Sequence, residues 1–80
     1  MSIKDAVVRR FRMLCRERAI TWNDLANRSG VTPSTVYSMI DPKRRELSIV
    51  TIKKLCDGLE ISIPEFFDDA VFRELEQEIR

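Results

Sequence analysis

Apolar side chains recur along this chain at intervals of three and four, the repeat of an α-helix with one face turned inward. Ile3, Val7, Phe11 and Leu14 form the first such stripe. Ser2 precedes it, with Asp5 three residues on. In that pairing the hydroxyl and the carboxylate each satisfy a backbone N–H at a helix start, so a first helix is predicted to about Arg18. Thr21 with Asp24 repeats the signal and opens a short helix through Leu25 and Ala26 that stops before Gly30. Thr32 followed by Pro33 reads as a hydroxyl cap and a proline at the first helical position, where its missing N–H costs nothing. The third helix is predicted from Pro33 to about Ile40, ended by Asp41-Pro42 because the residue before a proline is driven out of the helical region.

Ser48 is the predicted cap of a fourth helix, with Ile49, Ile52, Leu55, Cys56 and Leu59 inward. Ser62 and Glu65 form another capping pair, and Pro64 is tolerated in the first turn of a short fifth helix carrying Ile63, Phe66 and Phe67. Residues 68–80 place Val71, Phe72, Leu75 and Ile79 on one side and acids on the other, the pattern of an amphipathic helix that needs something to pack against. The expected fold is therefore all-α: a five-helix domain over residues 1–68 and a C-terminal amphipathic helical tail over residues 69–80. If the tail's apolar side stays uncovered it is an unusually large patch, and pairing of two copies through Phe66 to Ile79 would cover it. Folding back on its own domain is the alternative.

With 80 residues and 44% hydrophobic content, the chain has room for one core, and chains this small bury only about 60–65% of the surface they expose unfolded. Cys15 and Cys56 are the only cysteines and histidine is absent, so two buried thiols in a reducing, cytoplasmic setting are expected. No apolar run approaches the ~20 residues that span a bilayer. The net charge of +1 hides a segregation: residues 1–58 hold 12 Lys/Arg against 6 Asp/Glu, and residues 59–80 hold 2 against 7. The body can attract a polyanion and the tail cannot. An enzyme is not indicated, since there is no His for acid–base or metal work, both cysteines lie on core faces, and Asp68-Asp69 reads as a helix start. No cofactor, metal or small-molecule ligand is implied.

From Trp22 to Ile40 the sequence runs WNDLANRSGVTPSTVYSMI. Two helices crossing steeply need a small residue at the contact, which Ala26 supplies, and a turn residue that accepts a left-handed backbone, which Gly30 supplies. Leu25, Val31, Val36 and Met39 fall at inward positions on either side of the turn. That leaves Thr32, Ser34, Thr35, Tyr37 and Ser38 outward.

Here the chain resembles the Cro/XRE family of phage repressors and small bacterial regulators, over about residues 3–67 and chiefly through LA…SGVTPSTVYSMI and SIVTIKKLCDGLEIS. The resemblance implies a five-helix, often dimeric domain that inserts its third helix into the major groove of double-stranded DNA. Family register makes Ser34, Thr35 and Ser38 base-reading candidates, and the Thr35 methyl or the Tyr37 ring could meet a thymine methyl. With no Arg, Gln or Asn on that face, direct readout is expected to be modest, with groove shape supplying the rest. Phosphate contacts are expected from Thr21, Trp22 and Asn23 at the start of the second helix, from Thr32, and from Lys43, Arg44 and Arg45 after the third. Competing structural roles are capping for Thr32, packing for Tyr37 and core cover for Trp22.

Two positions depart from the family pattern. Cys15 and Ile40 stand where many relatives carry an arginine and a glutamate that pair, so both charges are lost together and an apolar contact is expected in their place. Glu60 stands where relatives place the glycine that ends the fourth helix, which predicts a strained left-handed glutamate. The competing function is a protein-interaction module of the same fold, as in some antitoxins and anti-repressors; an acidic or apolar third helix without surrounding positive charge would mark it, and neither is present.

Overall fold

Ser2, Thr21 and Ser62 start helices by one device. Each hydroxyl accepts the N–H of the acidic residue three positions on, at 3.0–3.1 Å, and that residue's carboxylate accepts the N–H of the cap. Hydrogen bonds from Ser2 and Thr21 hold the Asp5 and Asp24 carboxyls below the ordinary carboxylate range. In this computed structural model, which describes residues 1–79, the helices are α1 (Ile3–Glu17), α2 (Trp22–Ser29), α3 (Pro33–Ile40), α4 (Ile49–Gly58) and α5 (Ile63–Phe67). No strand occurs among the described residues. The fold is all-α with five helices, as the caps and apolar spacing predict.

Three helix ends share one geometry. After α1, α2 and α4 the chain turns through a left-handed residue, Ala19 (φ 54), Gly30 (φ 68) and Glu60 (φ 58). At each, the next N–H reaches back to the last turn: Ile20 to Cys15 O (3.0 Å), Val31 to Ala26 O (3.1 Å) and Ile61 to Cys56 O (3.0 Å). These bonds satisfy carbonyls that the helix leaves free. Glu60 thus takes the strained conformation expected of it. Ala19 does so too, and nothing in its local sequence marks it.

α2 packs on both α3 and α4, and α1 packs on residues 70–74. Fully buried Phe11, Leu25, Val36, Leu55, Leu59 and Phe66 form the centre of the core, with Cys15 and Cys56 in the same cluster and Ile40 packed against it. Neither thiol is in a disulfide. Gly58 lies against Ser29 where α4 meets α2.

Residues 68–80 depart from expectation. In place of one amphipathic helix there is a 3-10 helix over Ala70–Glu74, then irregular chain to residue 79; Arg80 lies outside the described residues. Tertiary contacts override the helical period. Val71 is buried, and Phe72 joins Phe66 (5.7 Å between ring centres) and Phe67 (4.8 Å) in an aromatic group completed by Phe11, 4.3 Å from Phe66. The irregular part returns to the start of α1: the Glu76 N–H donates to Met1 O (3.0 Å), the Glu76 carboxylate pairs with the terminal ammonium (2.9 Å), and the Ile3 N–H donates to Glu78 Oε2 (3.2 Å). Half of the tail's apolar stripe is thus packed on its own domain, the alternative to pairing of two copies, and Leu75 and Ile79 are exposed.

The α1 stripe also shifts. Ile3 is exposed and Lys4 takes the inward place, in register with Val7, Phe11 and Leu14. Arg10 is half-buried: it donates to the carbonyls of Phe66 (2.8 Å) and Glu65 (3.0 Å) and pairs with Asp69 (3.4 Å). Arg9, Arg12, Arg16 and Arg18 are exposed, although Arg18, just after α1, donates to the carbonyl of Leu59.

Candidate nucleic-acid interface

Gly30 turns the chain so that α3 crosses α2 with its apolar residues inward. Val36 is fully buried and Met39 nearly so, which fixes the roll of the helix and turns its other side outward. Thr32 and Ser34 are exposed, Thr35 and Ser38 half-buried, and Tyr37 is 50% exposed. Tyr37 therefore does not pack into the domain.

Thr32 does not cap α3. Its hydroxyl bonds no backbone N–H; it lies 3.0 Å from both Ser34 Oγ and Thr35 Oγ1. Three hydroxyls thus form one exposed group at the start of the helix, able to donate or accept as a base edge or phosphate requires. A threonine before proline matches a cap and such a cluster equally well, so sequence could not separate them.

Thr35 and Ser38 share a shallow groove with Arg44, Glu46, Ser48 and Thr51, so one side of α3 and the turn after it border one surface, which carries one acid beside its cation. In that turn the Arg44 N–H donates to Asp41 O (3.1 Å) and the Lys43 N–H to Asp41 Oδ1 (2.9 Å). Lys43, Arg44 and Arg45 all project into solvent; Arg44 is held only by a 4.0 Å approach to Asp41.

The start of α2 contributes less openly. Thr21 and Asn23 are exposed, but the Thr21 hydroxyl is engaged in its capping box. Trp22 is half-buried against the core, with the Arg12 guanidinium 6.0 Å above its ring. It covers the core, and that face of its ring carries a cation.

Sequence reasoning missed Lys4. Its side chain is 6% exposed, and its ammonium donates to the carbonyls of Asp41 and Arg44, directly beneath the basic turn. The spacing of Lys4, Val7, Phe11 and Leu14 is the signal that could have found it.

The profile of the Cro/C1-type HTH DNA-binding domain matches residues 10–70. The chain is also similar to prophage Lp1 protein 11, known from a crystal structure: sequence identity is 30%, the TM-score is 0.81, and the match covers 94% of this chain and 100% of that one. No curated protein matches the sequence.

Proposed function

The chain belongs to the Cro/C1-type helix-turn-helix DNA-binding family, and from that premise we propose that it is a cytoplasmic transcriptional regulator of repressor type, reading specific double-stranded DNA with α3 in the major groove. The observation that carries the proposal is the groove in which Thr35 and Ser38 of α3 meet Arg44 of the following turn, with Val36 and Met39 anchoring the helix behind it. Thr32, Ser34, Thr35, Tyr37 and Ser38 face the base edges; Lys43, Arg44 and Arg45, with Thr21 and Asn23, take the phosphates. Trp22 acts mainly by holding the start of α2 in place.

The working unit in this proposal is a homodimer, which sets two α3 helices about 34 Å apart on one face of the duplex. With Val71 and Phe72 used inside the domain, the tail is a weaker dimer surface than its sequence suggests. Ile49 (61% exposed) and Val50 (59%), beside Ile63, form the better one.

Selection of bound duplexes from a random library tests the reading: a short, two-fold-symmetric motif supports it. Ser34→Ala or Ser38→Ala relaxes base preference within that motif. Arg44→Ala or Arg45→Ala weakens all sequences and lowers the salt slope by about one unit per lost phosphate contact. A protein that ignores duplex DNA at low salt refutes the proposal, and one that binds but sediments as a monomer at high micromolar concentration, with and without DNA, refutes the dimer alone.

A further inference from the structure

Lys4 sits in the first turn of α1, thirty-seven residues before Asp41, with its ammonium beneath the turn that carries Lys43, Arg44 and Arg45. Among the described residues it is the one buried charged side chain. A buried ammonium needs acceptors, and here both are backbone carbonyls at the two ends of one turn, Asp41 and Arg44. Asp41 is the residue on which α3 ends, and no basic residue lies in the last turn of α3 itself. The ammonium therefore supplies the cation that a helix C-terminus favours. The same Asp41 carbonyl accepts the Arg44 N–H, so one charge closes the turn at both of its ends.

Lys43, Arg44 and Arg45 crowd this turn, with Asp5, Asp41 and Glu78 beside them to balance part of the charge. The buried ammonium keeps both carbonyl partners only while the turn keeps its present shape, so the presence of Lys4 favours that shape. α1 is itself fixed there by the Ser2 capping box, which makes Lys4 a rigid strut from the first helix to the turn that follows the third.

We infer that Lys4 is a positioning residue for DNA binding: it touches no DNA, and it fixes the 41–45 turn so that Arg44 and Arg45 meet phosphates in register with α3. This inference rests on the DNA-binding reading above.

The test is Lys4→Met, which keeps the stem and removes the charge, measured in the intact chain on the duplex selected for the wild type. The expected result is an affinity loss of about tenfold and a salt slope smaller by about one to two units, although Lys4 contacts no phosphate. In an Arg44→Ala/Arg45→Ala background the same substitution should cost nothing further. Amide exchange in the free protein should accelerate at residues 41–45 and stay unchanged in α2 and α4. Lys4→Gln, with a donor of shorter reach, gives the same pattern in weaker form and serves if the methionine variant does not fold. An unchanged slope, a full loss persisting without Arg44 and Arg45, or exchange that rises everywhere equally overturns the inference. Wild-type protein that binds no duplex overturns the DNA reading itself, whereas wild type and Lys4→Met binding alike overturns only the role of Lys4.

Discussion

Ser29 and Gly58 meet where α2 packs on α4, so closely that a β-carbon at residue 58 would stand 2.1 Å from the Ser29 hydroxyl oxygen and 3.0 Å from its Cα and Cβ. Gly58 is the last residue of α4, and the close approach is what its missing side chain permits. Gly58→Ala should therefore destabilise, by about 1–3 kcal/mol. Ser29 Oγ is buried without a hydrogen-bond partner, so Ser29→Ala alone should be neutral or stabilising. The double variant should recover part of the loss, since the 3.0 Å contacts persist. Denaturant melts of the three variants check this, and an unperturbed Gly58→Ala would refute the close approach.

Ala19 and Glu60 hold the left-handed conformation that Gly30 holds without strain. Ala19→Gly and Glu60→Gly should each raise stability by up to about 1 kcal/mol, the strain of an L side chain there less the added freedom of glycine in the unfolded chain. Gly30→Ala should lower it by a similar amount. Thermal unfolding of all three gives the comparison, and a destabilised Glu60→Gly would contradict the observed backbone.

Burial pushes the Cys56 thiol up to about 11, and the Cys15 thiol upward as well. Both should resist alkylation at pH 8 in the folded protein and react promptly in urea. The unfolded chain releases these protons at lower pH than the folded one, so it binds fewer protons between about pH 9 and 11 and stability falls as pH rises through that window. Cys56→Ala should make the fall shallower. An equal slope in wild type and variant would show that Cys56 plays no part.

The tail belongs to the monomer's core through Val71 and Phe72. A chain ending at Asp68 should lose about 2–4 kcal/mol of stability, the scale expected when one aromatic and one aliphatic side chain leave a packed cluster. The loss should not depend on protein concentration. A concentration-dependent loss would instead place these side chains between two copies.

Much of this structure is legible in the sequence because capping is local. Ser2-Asp5, Thr21-Asp24 and Ser62-Glu65 announce their helices, and Gly30 announces its turn, from residues within four positions of one another. The outward face of α3 is legible for the same reason, since Val36 and Met39 fix its roll. What escapes the sequence is long-range. The tail shows a helical period that its contacts with Phe66, Phe67 and the start of α1 overrule. The basic residues of α1 look alike in sequence, yet Lys4, Arg10 and Arg18 point to carbonyls 37–56 residues away.

Those three side chains end on three different helices: Lys4 at the end of α3, Arg10 at the end of α5, and Arg18 at the end of α4. None of these helices has a basic residue in its own last turn. α3 alone among them has no side-chain cap at its start, and its eight residues fall well short of the length at which a helix stands alone in water. The helix-turn-helix unit is therefore not a transplantable module. Grafted into another scaffold as residues 21–45, it would leave behind the cation that ends α3, and it would need a replacement at the place of Lys4 before it could hold its shape.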